Sequence, residues 1–358
     1  MADTTQATGL TVQQWDDKFF VEYHQDSVFK PYMGSDDSAI IQVNEDLSKK
    51  RGDSITFALV NSLSGAGVTG TATLEGSEEA LETRSFRLYV DKVRNGVRVA
   101  EMSEQRSAID LRDAARGALK RWIMNKTRDD IITALGSING TAYGSASEGN
   151  KDAWLVDNAD RVLFGAAIGN NAANDHSAAL LTLDTTNDKF TAAAARQMKR
   201  LALAANPAVT PIEVKGGKRV YVVFCGPRTF RDLQTSLETI NRDAMQRGMD
   251  NPIISGADLH YDGMVFKLVD NIPIYAGVGA SSADVSPVYL CGAQAIGVGY
   301  AKRTRSVTEV FDYADKNGVA IEEIRGIKKL IFGSGSGDTD DLKDNGVVTG
   351  YFAAPADA

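Results

Sequence analysis

Residues 59–79 read LVNSLSGAGVTGTATLEGSEE, and within them Gly65-Ala-Gly67-Val-Thr-Gly70 spells the letters of a dinucleotide-binding turn. That fingerprint carries meaning only between a strand and a helix, because the helix N-terminus and its free N–H groups hold the pyrophosphate. The lead-in fits: Ile55, Phe57 and Leu59 with their apolar neighbours read as a strand. The lead-out does not, since Thr71, Thr73, Leu74 and Gly76 offer no run of helix formers. Glu75, Glu78, Glu79 and Glu82 would also stand where a diphosphate must sit. A second strand-like block, Arg84 to Met102, follows. Two strand blocks around a glycine-rich, acidic segment predict instead a long β-ribbon with a charged tip.

The rest of the chain sets the ribbon in a large protein. Its 358 residues, 43% apolar and 24% charged, suffice for two or three compact units. No run reaches the length of a membrane span and no charged-then-apolar leader opens the chain, so no membrane role is expected. With 47 acids against 39 bases the net charge is −8, which disfavours a general nucleic-acid binder while leaving room for a local basic face. Cys225 and Cys291 each lie in an apolar run, predicting reduced, buried thiols.

Trp15, Phe19, Phe20 and Tyr23 share helical spacing and predict an amphipathic arm that docks on another surface or in the core. One long helix is expected from Ser103 to about Leu135, with Ser103 or Ser107 as N-cap. At 1.5 Å per residue it would span about 50 Å. Leu111, Ala115, Ala118, Leu119, Trp122 and Ile123 form its apolar stripe, and Arg106 with Asp110 and Lys126 with Asp130 its charge pairs. Gly117 inside it suggests a closely packed neighbour. Residues 136–188, rich in Gly, Ala, Asn and Ser, read as loops. Phe190 to Ala205 returns to helix, ended by Asn206-Pro207. An α/β region follows, with strands near Val220–Cys225, Met264–Asp270 and Pro287–Cys291 and a helix near Thr229–Arg247. Val307–Tyr313 and Val319–Phe332 pair as a hairpin, with Asn317-Gly318 as the turn signal. Gly333 to Gly337 then reads as a flexible linker to an alanine-rich tail.

Catalytic constellations are thin. Cys225, at a strand end before a turn and helix, occupies a nucleophile's position, but His24, His176 and His260 all lie in unrelated contexts, and a core cysteine is the better reading. The histidines lack metal-site spacing, and the adjacent carboxylates Glu78-Glu79 and Glu322-Glu323 point to opposite faces of a strand. No catalytic, cofactor or metal residue is assigned. Long ribbon, long helix and amphipathic arm are parts that bury surface between chains.

Several blocks, in order, resemble one family. They are LSKKRGDSITFA (47–58), GAGVTGTATLEGSEEA (65–80), MSEQRSAIDLRDAARGALKRW (102–122), NPIISGADLHYDGMVF (251–266) and LCGAQAIGVGYAKR (290–303), then Phe311-Asp312-Tyr313 and Gly326-Ile-Lys-Lys329. The chain resembles the major capsid proteins of tailed bacteriophages, in particular a podovirus-type coat family with the Hong Kong 97-like fold. The resemblance implies an α+β fold with an N-terminal arm (1–46), an extended β-loop (47–100), a spine helix with peripheral-domain elements and a loop-rich excursion at 136–188 (101–207), an axial domain (208–300), peripheral-domain strands (301–332) and a linker with C-terminal tail (333–358). It implies a non-enzymatic protein that self-assembles, as hexamers and pentamers, into an icosahedral shell around double-stranded DNA whose sequence it does not read. It would be made in the bacterial cytoplasm, reside in the virion capsid, and meet scaffold, portal and decoration proteins. Glu75, Glu78 and Glu79 at the loop tip, with Trp15 and Phe19 of the arm, are the expected inter-subunit residues. The alternative from another class is a cytoplasmic enzyme, nucleotide- or thiol-dependent, using Gly65–Gly70 or Cys225.

Overall fold

The computed structural model describes residues 28–48, 52–60, 67–71, 73–78, 83–107, 111–214, 217–245, 254–255, 258–313, 315–333 and 341–357. Two sheets share one long helix. The larger, of eight strands, runs in the order Val162–Phe164, Val347–Ala353, Val285–Cys291, Lys218–Cys225, Met264–Leu268, Asp258–Tyr261 and Ile254–Ser255, with Ile212–Val214 added against Lys218–Cys225. Its middle strands, VSPVYLC and VVTGYFA, are buried at every residue, as expected of strands covered on both faces. Helices Ala192–Ala204 and Pro227–Met245 cover one face, with Met198, Leu233 and Leu237 against Val223, Leu290 and Phe352. Phe29 and the end of the long helix cover the other, with Ile131, Ile132 and Leu135 against Phe224 and Tyr289.

The smaller sheet orders Met33–Gly34, Ile41–Asn44, Ile296–Phe311, Lys316–Lys329 and Asp91–Ala100. Its longest strands form the expected hairpin, but the turn lies earlier than Asn317-Gly318 suggested. Asp312 and Tyr313 turn the chain in the left-handed region, at φ 54° and 53°, while Asn317 and Gly318 are already paired with Val310 and Glu309. Gly318 serves packing instead: a Cβ there would lie 2.7 Å from the Phe311 ring.

The long helix is Leu111–Leu135, uninterrupted at Gly117. It does not begin at Ser103. Residues Glu101–Arg106 form a separate short helix with Ala100 as N-cap, and Ser107 is extended at ψ 137°, so the strand Asp91–Ala100 runs straight into a first turn that then stops. Ala115, Leu119, Ile123, Thr127 and Ile131 are buried at intervals of four, whereas Ala118 faces outward. Lys126 Nζ meets Asp130 at 2.7 Å as the spacing predicted, and Asp110 lies outside the described residues. Among the described residues no neighbour packs on Gly117, where a Cβ would meet nothing within 4 Å.

Two stretches hold more structure than their composition suggested. Residues 136–188 contain helices Glu148–Asp157 and His176–Leu181, capped by Ser147 and Asp175, and the edge strand Val162–Phe164. Trp154, Leu155, Phe164 and Leu180 form a third core cluster with Tyr351, a contact between distant parts of the chain that no local pattern announces. Nor is the segment after the Gly-Ser run a tail: Val347–Ala353 lies between Val162–Phe164 and Val285–Cys291, deep in the larger sheet. Just before it Asp344, buried, accepts hydrogen bonds from Lys329 Nζ at 2.6 Å and Trp154 Nε1 at 3.1 Å. The proposed linker at 334–340 lies outside the described residues.

Because Gly117 is exposed, helical and without a close neighbour among the described residues, Gly117→Ala is expected to raise subunit stability by about 0.5–1 kcal/mol. Urea denaturation of the unassembled protein would measure it, and a loss of stability would restore the close-packing reading.

Candidate inter-subunit surface

The ribbon of the first quoted stretch is present. Ser54–Val60 and Thr83–Tyr89 pair antiparallel without a bulge, Ile55 opposite Leu88 and Phe57 opposite Phe86. Its base is set directly on the backbone of the smaller sheet. Gly299 and Gly326 are cross-strand partners, and a Cβ on Gly299 would fall 2.6 Å from Ile55 Cδ1, one on Gly326 2.2 Å from the Tyr89 carbonyl oxygen. Ile55, Phe57 and Leu88 are thereby buried with Leu330 and Phe332. Passing from Ile55 to Phe57 the strand moves from Gly299 back to Gly297, so the ribbon leaves the sheet away from the Phe311 end of the hairpin.

Beyond that anchor the described tip residues are exposed. Cβ atoms built on Gly67, Gly70 and Gly76 would meet nothing within 4 Å, and all three have positive φ. The tip is a β-turn in which Ser77 N–H donates to the Leu74 carbonyl at 2.9 Å, with Gly76 at φ 86° in its third position, where glycine avoids strain. Glu78 folds back to accept the Gly76 N–H at 2.7 Å. Leu74 is 61% exposed, and Glu75 and Glu78 are exposed beside it. Glu79, Trp15 and Phe19 lie outside the described residues.

Sequence reasoning missed the other half of this surface. The long helix packs one face of the smaller sheet, through Leu119 and Ile123 against Val319 and Ile321. On the opposite face the register aligns Arg94 with Glu322, Gly96 with Ala320 and Arg98 with Gly318, all exposed or half-buried apart from Glu322, and among the described residues no helix packs on them. Glu322 is nearly buried there among Lys92 (2.6 Å), Lys302 (3.5 Å) and Arg305, and the hydrogen bond from Lys92, joined by that from Arg305, holds its carboxyl down to about 2. Basic residues at 92, 94 and 98 and again at 302 and 305 were the signal available in the sequence. At the hairpin end Val310 and Tyr313 are 60% and 105% exposed.

The alternative chemistries find no support in this geometry. No helix follows Gly70 among the described residues through Glu78. Cys225 and Cys291 are fully buried free thiols in the larger sheet, and burial pushes both thiols up, away from the nucleophilic thiolate. His24 lies outside the described residues, His260 sits in the strand Asp258–Tyr261, and His176 is enclosed by Tyr143, Trp154, Phe164 and Tyr351. Glu148, Asp152 and Asp175 bring carboxylate oxygens within 4.8 Å of one another, but Asp175 caps the helix at Ala178 N–H and Asp152 accepts the His176 N–H, so helix capping accounts for the grouping.

Residues 3–356 match the family model described as phage capsid protein. The chain belongs to that family. It is 26% identical over 368 aligned residues to the major capsid protein of Pseudomonas phage KPP25, an alignment covering 95% of this chain and 94% of that one. Among solved structures it resembles the capsid of cyanophage Pam1, at 35% identity and a TM-score of 0.82 over the whole of both chains. The capsid of Ralstonia phage GP4, at 24% identity and a TM-score of 0.74 over both chains, supports the fold. The α+β architecture is thus that of phage capsid proteins, and the chain is a major capsid protein of the tailed-phage kind, a component of the icosahedral virion shell. No helix among the described residues is long and apolar enough to cross a membrane.

Two measurements check these placements. Burial, with Lys151 nearby, lowers His176 from its ordinary 6.5 to about 4, so the neutral ring contributes stability present above pH 6.5 and lost as the pH falls through about 4. His176→Phe should therefore flatten the pH dependence of urea stability across that window, and an unchanged slope would refute the assignment. Cys225 and Cys291 should resist a thiol reagent in the native protein and react only on denaturation.

Proposed function

We propose that the ribbon is the element through which each capsid subunit holds its neighbour, with Glu75, Glu78 and Glu79 at its tip and Trp15 and Phe19 of the arm as further contact residues. The observation that carries this is the asymmetry of the ribbon's burial: a base packed onto glycine backbone, and tip glycines on which a Cβ would meet nothing among the described residues. An isolated two-stranded ribbon is at best marginal in water, so its far end needs a surface supplied from outside. An acidic tip calls for basic partners there, through charge-assisted contacts.

On this reading the segment to about Asp46 is the arm, residues 47–100 the extended loop, the helix Leu111–Leu135 the spine, the smaller sheet the body of the peripheral domain, and the compact region around 208–300 the axial domain at the centre of hexamers and pentamers. The larger sheet draws strands from outside 208–300, so the axial unit would include Val162–Phe164 and Val347–Ala353. The shell would enclose double-stranded DNA without reading it, and scaffold, portal and decoration proteins would be its other partners. The chain's acidic balance and lack of a base-reading motif suit a container that holds DNA by confinement.

Glu75→Lys/Glu78→Lys is expected to leave the subunit folded, with unchanged circular dichroism and urea midpoint, while reducing shell yield in negative-stain microscopy severalfold. High salt should weaken assembly of the parent and not of the variant. Shells of normal yield and parental salt response from the double variant would sink the proposal.

A further inference from the structure

The chain contains four Asn-Gly steps, Asn95-Gly96, Asn139-Gly140, Asn317-Gly318 and Asn345-Gly346. In such a step the second nitrogen has no side chain beside it to obstruct its approach to the carboxamide before it. The fold treats the four differently. Asn317 and Gly318 lie in a strand paired on both sides, with Gly318 opposite Glu309 and Arg98. Asn345 is held by its carboxamide, whose Nδ2 donates to the Gln294 carbonyl at 3.0 Å, and Gly346 is buried. Asn139 and Gly140 form a turn clamped by two backbone hydrogen bonds between Ile138 and Thr141, of 2.8 and 2.9 Å, and Asn139 Oδ1 is buried.

Asn95 is the one of the four that is exposed. It sits in Asp91–Ala100, the outermost strand of the smaller sheet, which has a neighbouring strand on one side only. Along such a strand alternate N–H groups point away from the ladder. The Gly96 N–H turns to the side chain before it and donates to Asn95 Oδ1 at 2.9 Å. This sets the Gly96 nitrogen against the carboxamide, one bond short of its carbon, Cγ. Arg94 and Arg98, exposed on the same strand, favour the negative charge that the nitrogen gains when its proton leaves.

We infer that Asn95 deamidates spontaneously in the folded protein, through a succinimide closed by Gly96. The Gly96 nitrogen gives its proton to solvent and bonds to Asn95 Cγ, and the side-chain nitrogen leaves as ammonia. Water then adds to one of the two ring carbonyls and opens the ring. Cleavage of the new bond at Cγ gives aspartate. Cleavage at the Asn95 backbone carbonyl carbon gives isoaspartate, in which the main chain runs through Cγ. Water is the only co-reactant, and nothing is oxidised or reduced. Isoaspartate adds a methylene to the backbone just before the pair Gly96 and Ala320, so Val97 to Ala100 lose their register with Val319 to Lys316. Val99, buried in that stretch, loses its seat, while the central hairpin stays paired.

Peptide mass spectrometry of the native, full-length subunit held at mildly alkaline pH tests the inference. Asn95 should convert severalfold faster than Asn139, Asn317 and Asn345, with isoaspartate among its products, since direct hydrolysis of the carboxamide gives aspartate alone. In urea, where the four steps share one local chemistry, their rates should converge. Equal rates at the four steps in the native protein, or aspartate at 95 without isoaspartate, overturns the inference. Hydrogen exchange supplies a second readout: the converted fraction should exchange faster over 91–100 and unchanged over 316–329. Asn95→Gln should keep the parental urea midpoint and neither convert nor loosen on the same incubation. Loosening of 91–100 in aged Asn95→Gln would show that the strand opens for another reason and overturn the assigned consequence.

Discussion

The fold depends on one helix reaching both sheets. The first half of Leu111–Leu135 lays Leu119 and Ile123 on the smaller sheet, and its last two turns drive Ile131, Ile132 and Leu135 into the larger one. Between these contacts Asp130 meets the buried Arg325 at 2.8 Å, and Arg325 in turn contacts the buried Glu323, whose carboxyl burial pushes up and which accepts the Thr304 hydroxyl at 2.7 Å. Removing one member of such a set strands a desolvated charge, which makes the helix-to-sheet junction intolerant of small displacements. The base of the ribbon on Gly299 and Gly326 is consequently held at a fixed position on the same sheet.

What the sequence revealed tracked how local each signal was. The ribbon was readable because Ile55, Phe57 and Leu59 alternate and because Glu75 to Glu82 rule out a phosphate. The body of the helix was readable because its stripe repeats at four. A start at Ser103 was a misreading, because the strand ending at Ala100 feeds a short helix directly and Ser103 lies inside it, while the residues between Ser107 and Leu111 lie outside the described ones. Gly117 was misread because a helical glycine carries no mark of its surroundings.

The larger errors came where pairing is long-range. Trp154 and Phe164 gain their burial from Tyr351, and Asp344 its partners from Trp154 and Lys329, so a stretch rich in Gly, Ala and Asn looked like loop until its distant partner was in place. Asn317-Gly318 is a strong hairpin signal that lost to the Phe311 ring, which needs a glycine beneath it. The candidate surface was legible by half: the acidic tip could be read from consecutive residues, whereas the basic face of the smaller sheet is assembled from three strands in register, Asp91–Ala100, Lys316–Lys329 and Ile296–Phe311, and exists only once they pair.

The central place of Val347–Ala353 also sets the order in which the protein can become itself. That strand pairs on one side with Val285–Cys291 and on the other with Val162–Phe164, so the larger sheet closes only when segments far apart in sequence meet. Contacts of such high separation incur loop-closure entropy before any burial offsets it, and they make folding slow. Until they form, Val285–Cys291 presents an unpaired apolar edge at the concentrations at which a capsid protein is made, a surface suited to misdirected strand pairing. The same architecture that makes a finished subunit rigid leaves a newly made one reliant on being kept apart from its copies.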